Sequence, residues 1–392
     1  QEAKHLTMQD IEKEWQGERP QMVKVDGFAK QLPAPQGKPA EETLGNLELV
    51  FDGQDEFTDY RRELNLSRAV ATTTYKAGRG KYIREMFCSY PDDVAVMRIQ
   101  SSRKGKLGFS AAMSRPTDVM DEQVEIGFIE QALNGGLPRT VEPVTLAMVG
   151  DDILTMTGQA AENGTKFCAA LKIETKGGSV SVQDNRLVVK GATEAVLYFT
   201  AQTHYYHPEN WAELAVEKVN AAAGKGYDQL LATHLEDYQS IFGRVDFELG
   251  KSAADQLPTD VRIRQLRDGV TPASEDPGLF ALQFHMGRYM LISSSRKGYF
   301  PPGIFYWNRF LFAYWYGGHH DDINEQMNYW PADLCNMSET MEPFFQMLDD
   351  YEGVGRQCAK INYNMRGRIV SGIGIWGMMW PENAWAGGTG WF

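Results

Sequence analysis

The chain has 392 residues, of which 43% are hydrophobic and 23% charged, and this composition excludes a fully disordered or fibrous protein. Its 39 basic and 52 acidic side chains give a formal net charge of −13, so we expect no binding to nucleic acid. It contains no run of about 18 apolar residues, so no membrane span is predicted.

The first part of the chain divides into a polar segment and a β-rich region. Residues 1–43 are rich in proline, glycine, glutamine and lysine and are predicted to form an N-terminal segment. Short β-branched or alternating runs then recur over residues 44–205, separated by turn residues, which is typical of an antiparallel β-sandwich domain. The predicted strands are residues 47–51, 69–75, 82–88, 94–99, 144–149, 166–173, 180–182, 187–189 and 195–200.

The pattern becomes helical after residue 205, which predicts a helical linker over residues 206–275. Apolar residues recur at helical spacing at 211–219, 227–242 and 259–266, and each stretch predicts a helix. The sequence VDFEL at residues 245–249 predicts one short strand between them.

Residues 276–392 are predicted to begin an all-α domain. A helix begins at Asp276 and Pro277, because Asp is favoured at the N-cap and Pro in the first turn. Residues 279–292 are apolar nearly all round, so this helix is predicted to be buried. Two further helices are predicted at residues 337–348 and 351–363.

The candidate site lies in residues 293–330, where aromatic rings stand beside imidazoles, amides and carboxylates. Aromatic faces pack on the CH faces of sugar rings, and Asn, Asp and His groups hydrogen-bond to hydroxyls, so we predict a sugar site. The alternative is that these aromatic residues form the core of the all-α domain.

His319, His320, Asp321 and Asp322 are also possible metal ligands. Adjacent residues of an extended segment point to opposite sides, so four in a row rarely converge on one ion. We therefore predict no metal and no cofactor.

A helix beginning near residue 323 would place Asn324 and Asn328 on one face, with Glu325 turned away. Asp322 and Asn324 would then flank the start of the helix. Backbone N–H groups at a helix start favour negative charge or polarised water.

The segment HDDINEQMNYWPA at residues 320–332 resembles the pattern H-x-[N/D]-I-N-x-Q-M-N-Y-W-P-A of glycoside hydrolase family 95, the α-L-fucosidase and α-L-galactosidase family. Shorter matches occur in the family's order: LGNLEL at 44–49, YRREL at 60–64, LPTD at 257–260 and RYMLISSSR at 288–296. The resemblance implies a multidomain β + α fold with an N-terminal antiparallel β-sandwich, a helical linker and part of an (α/α)6 barrel. Residues 276–392 would be the start of this catalytic barrel.

The resemblance also implies an inverting exo-glycosidase that removes terminal α-L-fucosyl or α-L-galactosyl residues from oligosaccharides or polysaccharides. Asn324 matches the residue that holds the attacking water. Asp322 matches the neighbouring position that makes this amide effective, and His320 matches a contact to a sugar hydroxyl.

Further sugar contacts are expected at His319, Trp307, Asn328 and Trp391. Glu382, in WPEN, superficially resembles the family's general acid in S-P-E-N, but it follows the water-holding position too closely for the intervening barrel helices. The general acid is therefore expected outside this chain, with Glu382 as the weaker candidate. We expect residues 1–392 to be a partial chain that is inactive alone, since inversion needs two opposed groups.

Two alternatives remain at this point. A catalytically inactive carbohydrate-binding or assembly protein of this fold would keep the aromatic loop and lack the acid. A metal-dependent hydrolase would use His319, His320 and Asp322. We expect a periplasmic or extracellular location, although no signal peptide is visible.

The four cysteines are too few for a disulfide scaffold. Cys88, Cys168, Cys335 and Cys358 show no CxxC spacing, and we expect them to be buried free thiols.

Overall fold

The computed structural model describes residues 43–115, 142–160, 165–303, 307, 324–350, 352–353, 356 and 366–367. Within these residues, no helix combines the length and the apolar character that a membrane crossing requires.

Twelve antiparallel strands form two sheets in the described part of the chain. The small sheet has the order β1-β6-β11-β10, and the large sheet has the order β2-β3-β4-β5-β12-β9-β8-β7. The strands are β1 (Asn46–Phe51), β2 (Thr58–Asn65), β3 (Val70–Ala77), β4 (Gly80–Ser89), β5 (Val94–Ser101), β6 (Leu107–Ser114), β7 (Thr145–Val149), β8 (Ile153–Gln159), β9 (Lys166–Lys176), β10 (Ser179–Gln183), β11 (Arg186–Ala192) and β12 (Glu194–Thr203).

The sandwich core lies between the two sheets. Leu107 and Leu187 of the small sheet and Leu154, Leu171 and Leu197 of the large sheet are at most 1% exposed and belong to one cluster. Burying such side chains contributes roughly 1.5–3 kcal/mol each before conformational entropy is subtracted. The alternating pattern read from the sequence therefore faces its apolar side into this core.

The chain crosses from the large to the small sheet through two glycines between β9 and β10. Gly177 and Gly178 have φ angles of 72° and 69°, which L-residues rarely adopt. A Cβ on Gly178 would also lie 2.2 Å from the carbonyl oxygen of Lys190. Only glycine fits this crossing.

Helices follow the sandwich. They are α1 (Trp211–Lys225), α2 (Tyr227–Phe242), α3 (Thr259–Arg267), α4 (Pro277–Ser294), α5 (Asn324–Leu334) and α6 (Glu342–Asp350), with 3₁₀ turns at Ala253–Gln256, Ala273–Glu275 and Ser338–Met341. The helices predicted at residues 211–219, 227–242 and 259–266 are confirmed as α1 to α3.

Helix α1 joins the helices to the sandwich. Ala215, Val219 and Ala222 form its buried face and belong to one core cluster with Val196 and Tyr198 of β12. This packing covers the outer face of the large sheet.

The strand predicted at residues 245–249 is wrong. These residues belong to no sheet, and side chains of α4 contact their carbonyl groups: Arg288 Nη1 donates to Val245 O at 3.0 Å, and His285 Nε2 lies 3.1 Å from Phe247 O. The segment therefore packs along a helix instead of entering a sheet.

The predicted start of α4 at Asp276 and Pro277 is confirmed, but the expectation that this helix is buried is wrong. Phe280, Met286 and Met290 are 37–38% exposed, so the helix is not buried all round. Asp276 stands at the N-cap position, but its side chain makes no capping bond. It pairs instead with Arg262 of α3, whose guanidinium competes with the backbone N–H groups of the first helical turn for the carboxylate oxygens.

The helix predicted at residues 337–348 is split into a 3₁₀ turn and α6. The helix predicted at 351–363 and the segment 1–43 lie almost entirely outside the described residues. The bounds of the four predicted domains stay predictions.

Candidate functional site at the start of helix α5

Two of the predicted site residues lie on one helix. Asn324 is the first residue of α5 and is partly buried. Asn328 follows one turn later, is exposed, and donates a hydrogen bond from Nδ2 to Pro302 O at 3.1 Å. Glu325 lies on the opposite, buried face, as the helical spacing predicts. Asp322, His319, His320, Glu382 and Trp391 lie outside the described residues.

A buried hydroxyl network fixes α5. Ser295 Oγ donates to Thr340 O at 2.7 Å and lies 2.5 Å from Tyr329 Oη. A serine hydroxyl has one proton, so Tyr329 donates to Ser295. Burial raises the pKa of Tyr329, which keeps this phenol protonated at neutral pH. Ser295, directly after α4, therefore holds the helix that carries Asn324.

An ion pair joins the end of α4 to α2. Arg296 donates from Nη1 to Asp237 Oδ2 at 2.9 Å and from Nη2 to Asp237 Oδ1 at 2.5 Å. Its guanidinium carbon also lies 4.0 Å from the ring centre of Tyr90, in the β4–β5 turn. Paired, fork-like hydrogen bonds and ring stacking fix the direction of this side chain. The segment after α4 is thus tied to the sandwich.

The same turn makes a second connection through Asp93. Tyr299 Oη donates to Asp93 Oδ1 at 2.5 Å. Asp93 Oδ2 accepts from Gln202 Nε2 at 2.7 Å and pairs with Lys218 Nζ at 2.9 Å. Asp93 has a φ of 52°, a conformation that Asp tolerates better than most residues. Burial, with the nearby Asp93 carboxylate, raises the pKa of Tyr299.

A cavity of about 520 Å³ opens between the large sheet, α2 and α4. Its size falls in the range of roughly 300–1,000 Å³ that small-molecule sites show. Trp307, a predicted sugar contact, lines it and is 58% exposed. Asn324 and Asn328 do not line it in the described structure.

The charged groups in this cavity already have partners. Asp237 pairs with Arg296, and Asp93 pairs with Lys218. His234 is buried, its Nε2 lies 2.8 Å from Arg68 O, and burial lowers its pKa, so it is neutral at neutral pH. The described lining therefore suits a neutral ligand.

The cysteine prediction is wrong at one position. Cys168 and Cys335 are buried, but Cys88 is exposed in the wall of this cavity. The packed surroundings still raise the pKa of its thiol. Cys358 lies outside the described residues.

Among the described residues, no cluster of three His, Cys, Asp or Glu side chains is arranged to hold a metal ion. The possible ligands His319, His320 and Asp322 fall outside this part of the chain.

Sequence reasoning predicted a site in residues 293–330 and did not include Asp93 or Asp237. No local motif marks them, because each acts across a large sequence separation: 59 residues for Asp237 and Arg296, and 206 for Asp93 and Tyr299. The one available signal was Asp93 in a short turn between two predicted strands.

The fold class of the chain is also that of known carbohydrate-active proteins. The fold aligns with a solved structure assigned as a kojibiose phosphorylase from the human microbiome, with a TM-score of 0.52 at 10% identity, covering 83% of this chain and 41% of that one. Residues 21–208 match the glycosyl hydrolase family 65 N-terminal domain. The chain is thus a β-sandwich followed by part of an (α/α)6 barrel, which confirms the predicted fold class.

Three further findings concern the particular family that the chain resembles. Residues 226–392 match the glycosyl hydrolase family 95 catalytic domain. The chain is 31% identical over 371 residues to alpha-L-fucosidase 2 of Arabidopsis thaliana, covering 89% of this chain and 44% of the relative. It is 28% identical over 345 residues to a protein of Aspergillus oryzae assigned as alpha-fucosidase A, covering 84% of this chain and 44% of the relative.

These matches confirm the resemblance to glycoside hydrolase family 95 that was drawn from the sequence, with the catalytic-domain match lying over residues 226–392. The chain spans less than half the length of the curated relatives that it matches.

Proposed function

We propose that the protein is an inverting exo-glycosidase that removes terminal α-L-fucosyl residues, or α-L-galactosyl residues, from oligosaccharides or polysaccharides. The support is the family 95 match over the helices and the fucosidase names of its relatives. The single observation that carries the mechanism is the segment 320–332, which resembles the family's water-holding motif and starts α5 at Asn324.

Asn324 holds the attacking water in this proposal. The first residues of a helix present N–H groups without intrahelical partners, and these stabilise a water that is gaining negative charge. Asp322, two residues earlier, accepts a hydrogen bond from the Asn324 amide N–H. This makes the amide oxygen of Asn324 a better acceptor for the proton of the attacking water. The network of Ser295 and Tyr329 supports this role because it holds α5 in one position.

A general acid must protonate the leaving oxygen on the opposite face of the sugar. Glu382 is the candidate within this chain. Direct inversion requires room for one water between the two groups, so the acid is expected roughly 6.5–9.5 Å from the group that activates water.

Sugar recognition is assigned to aromatic and polar side chains. Trp307 and Trp391 present ring faces to the pyranose, while His320 and His319 contact its hydroxyls. The exposed position of Trp307 supports its role. Asn328 fixes the backbone at Pro302 through its amide, which supports a positioning role beside the proposed sugar contact.

The experiment is hydrolysis of an aryl α-L-fucoside and an aryl α-L-galactoside by the protein that contains this chain, followed by proton NMR. The β-anomer of the released sugar is expected first, because inversion changes the configuration. Initial release of the α-anomer would refute inversion. Glycan binding without hydrolysis would instead identify a carbohydrate-binding protein.

Chelation separates this mechanism from a metal-dependent one. We expect equal hydrolysis rates with and without EDTA, since the proposed reaction needs no metal. Loss of activity on chelation, with recovery on adding zinc, would favour metal ligation by His319, His320 and Asp322. The periplasmic or extracellular location stays a prediction.

A further inference from the structure

A second cavity of about 350 Å³ lies at one edge of the sandwich. It is lined by the end of β1, the β1–β2 connection and strands β2 to β4. β1 is an edge strand of the small sheet, and β2 is an edge strand of the large sheet. None of its lining residues lines the cavity beside α2 and α4.

Aromatic rings form one wall of this edge cavity. Phe57 and Tyr60 are 55% and 52% exposed, with ring centres 5.6 Å apart. Tyr75 lies edge-on to Phe57 at 6.2 Å and stacks on Tyr82 at 5.3 Å. The exposed rings are therefore supported by buried ones. Large exposed apolar groups clustered in a concave surface are typical of binding sites.

Polar groups form the floor of the edge cavity. Arg84 Nη2 donates to Tyr75 Oη at 2.5 Å, and Tyr75 in turn donates to Gln54 Oε1. The Arg84 guanidinium carbon also lies 3.9 Å from the ring centre of Phe51. This chain of contacts places the guanidinium and the amide beside the aromatic wall.

Two donors in this floor have no acceptor in the described part of the protein. Gln54 Nε2 and Arg84 Nε are buried and lack a hydrogen-bond partner there. Buried donors are nearly always paired in proteins, so these two are a deviation that needs an explanation. A ligand hydroxyl in the adjoining cavity would supply the missing acceptors after a small rotation of either side chain.

The charges around the edge cavity favour a neutral ligand. Lys76 pairs with Asp59 at 2.8 Å, and Arg61 pairs with Glu63 at 2.7 Å. The lining itself carries one positive and one negative residue, Arg84 and Asp55. Because these charges balance, the edge cavity attracts neither an anion nor a cation electrostatically.

We propose that the edge cavity binds a neutral pyranose unit of a glycan. A pyranose has an apolar CH face for Phe57 and Tyr60, and hydroxyls for Gln54, Asp55 and Arg84. The site is accessory: it lies on the sandwich and requires none of the residues assigned to hydrolysis. It would hold a glycan on the protein while another part of that glycan is processed.

The test is saturation-transfer NMR of the protein that contains this chain, titrated with lactose and with cellobiose, neither of which carries the fucosyl unit that the proposed function removes. Phe57→Ala and Tyr60→Ala are expected to raise the Kd at least about tenfold each, since each removes a stacking face. Phe345→Ala is the matched control, because Phe345 is 51% exposed on α6 and outside the edge cavity. Its Kd is expected to stay unchanged.

The proposal is overturned by equal Kd values for the parent and both edge-cavity variants. It is also overturned if the parent binds neither sugar at tens of millimolar, a range in which weak sites are still detected. Binding lost only in Trp307→Ala would place the glycan in the other cavity and refute the edge site.

The proposed hydrolysis and the edge site fail separately. If the protein hydrolyses no fucoside but Tyr60→Ala still weakens glycan binding, the edge site stands without the proposed function. If hydrolysis occurs and Tyr60→Ala leaves glycan binding unchanged, the proposed function stands and the edge site is refuted.

Discussion

Arg296 and Asp237 form a two-pronged ion pair that connects the end of α4 to α2, with N–O distances of 2.9 Å and 2.5 Å. The two side chains are 14% and 20% exposed. This pair and the stacking of Arg296 on Tyr90 hold the segment that leads to Trp307. The sandwich therefore helps to position the candidate site.

Arg296→Lys is expected to destabilise the protein by about 1–2 kcal/mol, because lysine cannot make the paired hydrogen bonds or stack in the same way. Chemical denaturation gives the free energy of unfolding. Arg267→Lys is the matched control, since Arg267 pairs with Asp268 on the surface and should show no measurable change. Equal losses in both variants would contradict the account.

The buried pair of Arg262 and Asp276 gives a pH-dependent prediction. The hydrogen bond from Arg262 lowers the pKa of Asp276, and the two side chains are 8% and 3% exposed. Because the pKa of Asp276 is lower in the folded than in the unfolded protein, its ionised form stabilises the folded protein at any pH above the unfolded pKa of about 3.9. This stabilisation is lost as the pH falls through the pKa of Asp276 in the folded protein.

Asp276→Asn should cost about 1–3 kcal/mol at neutral pH, since the buried guanidinium of Arg262 then keeps only its ion pair with Asp255, at 3.0 Å. The cost should shrink in acid below about pH 4, where the parent loses the same ion pair. Unfolding free energies measured from pH 7 to pH 3 test this. A cost that does not change with pH would show that the ion pair is not its cause.

Ser295→Ala should cost about 1–3 kcal/mol, because the Tyr329 hydroxyl would lose its acceptor inside the protein. Ser338→Ala removes the same atom from an exposed serine that donates to Asp333, and should change stability by less than about 0.5 kcal/mol. If Ser295 positions α5, its variant should also lower kcat more than it changes KM. A loss of stability with unchanged kinetics would limit Ser295 to a structural role.

Cys88 should react with iodoacetamide before Cys168 and Cys335, because only Cys88 of these three is exposed. The protein groups packed around the thiol still raise the pKa of Cys88, so its reaction should be slower than that of free cysteine at pH 7.5. The reaction should become faster as the pH rises above the ordinary thiol pKa of about 8.5. Burial also raises the pKa of Cys168, to about 11. Peptide mass spectrometry locates the label, and faster labelling of Cys168 would contradict the described packing.

Local patterns predicted most of the sandwich and missed β2, β6 and β8, the first two for identifiable reasons. β2 is an edge strand with the sequence TDYRRELN, whose side chains are nearly all exposed, so it shows no apolar alternation. β6, with the sequence LGFSAAMS, is built from small residues of low strand propensity. Their place in the sheets depends on neighbouring strands distant in sequence.

The site was predictable only in part. The motif at residues 320–332 located Asn324 and the helix that it begins, because helix start and spacing are local properties. The pairs of Arg296 with Asp237 and of Tyr299 with Asp93 depend on how the helices dock on the sandwich. No single stretch of sequence contains that information.

The most direct test of the central claim is the kcat of Asn324→Gly on an aryl α-L-fucoside, measured in the protein that contains this chain. We expect kcat to fall by about 10²–10⁴-fold, the usual size of a lost acid–base contribution, with circular dichroism and Tm nearly unchanged. Asn336→Gly is the matched control, since Asn336 has a φ of 53° that glycine adopts readily, and its kcat should stay at the parent value. Full activity of Asn324→Gly, or loss of activity together with loss of the fold, would contradict the role of Asn324 in holding the attacking water.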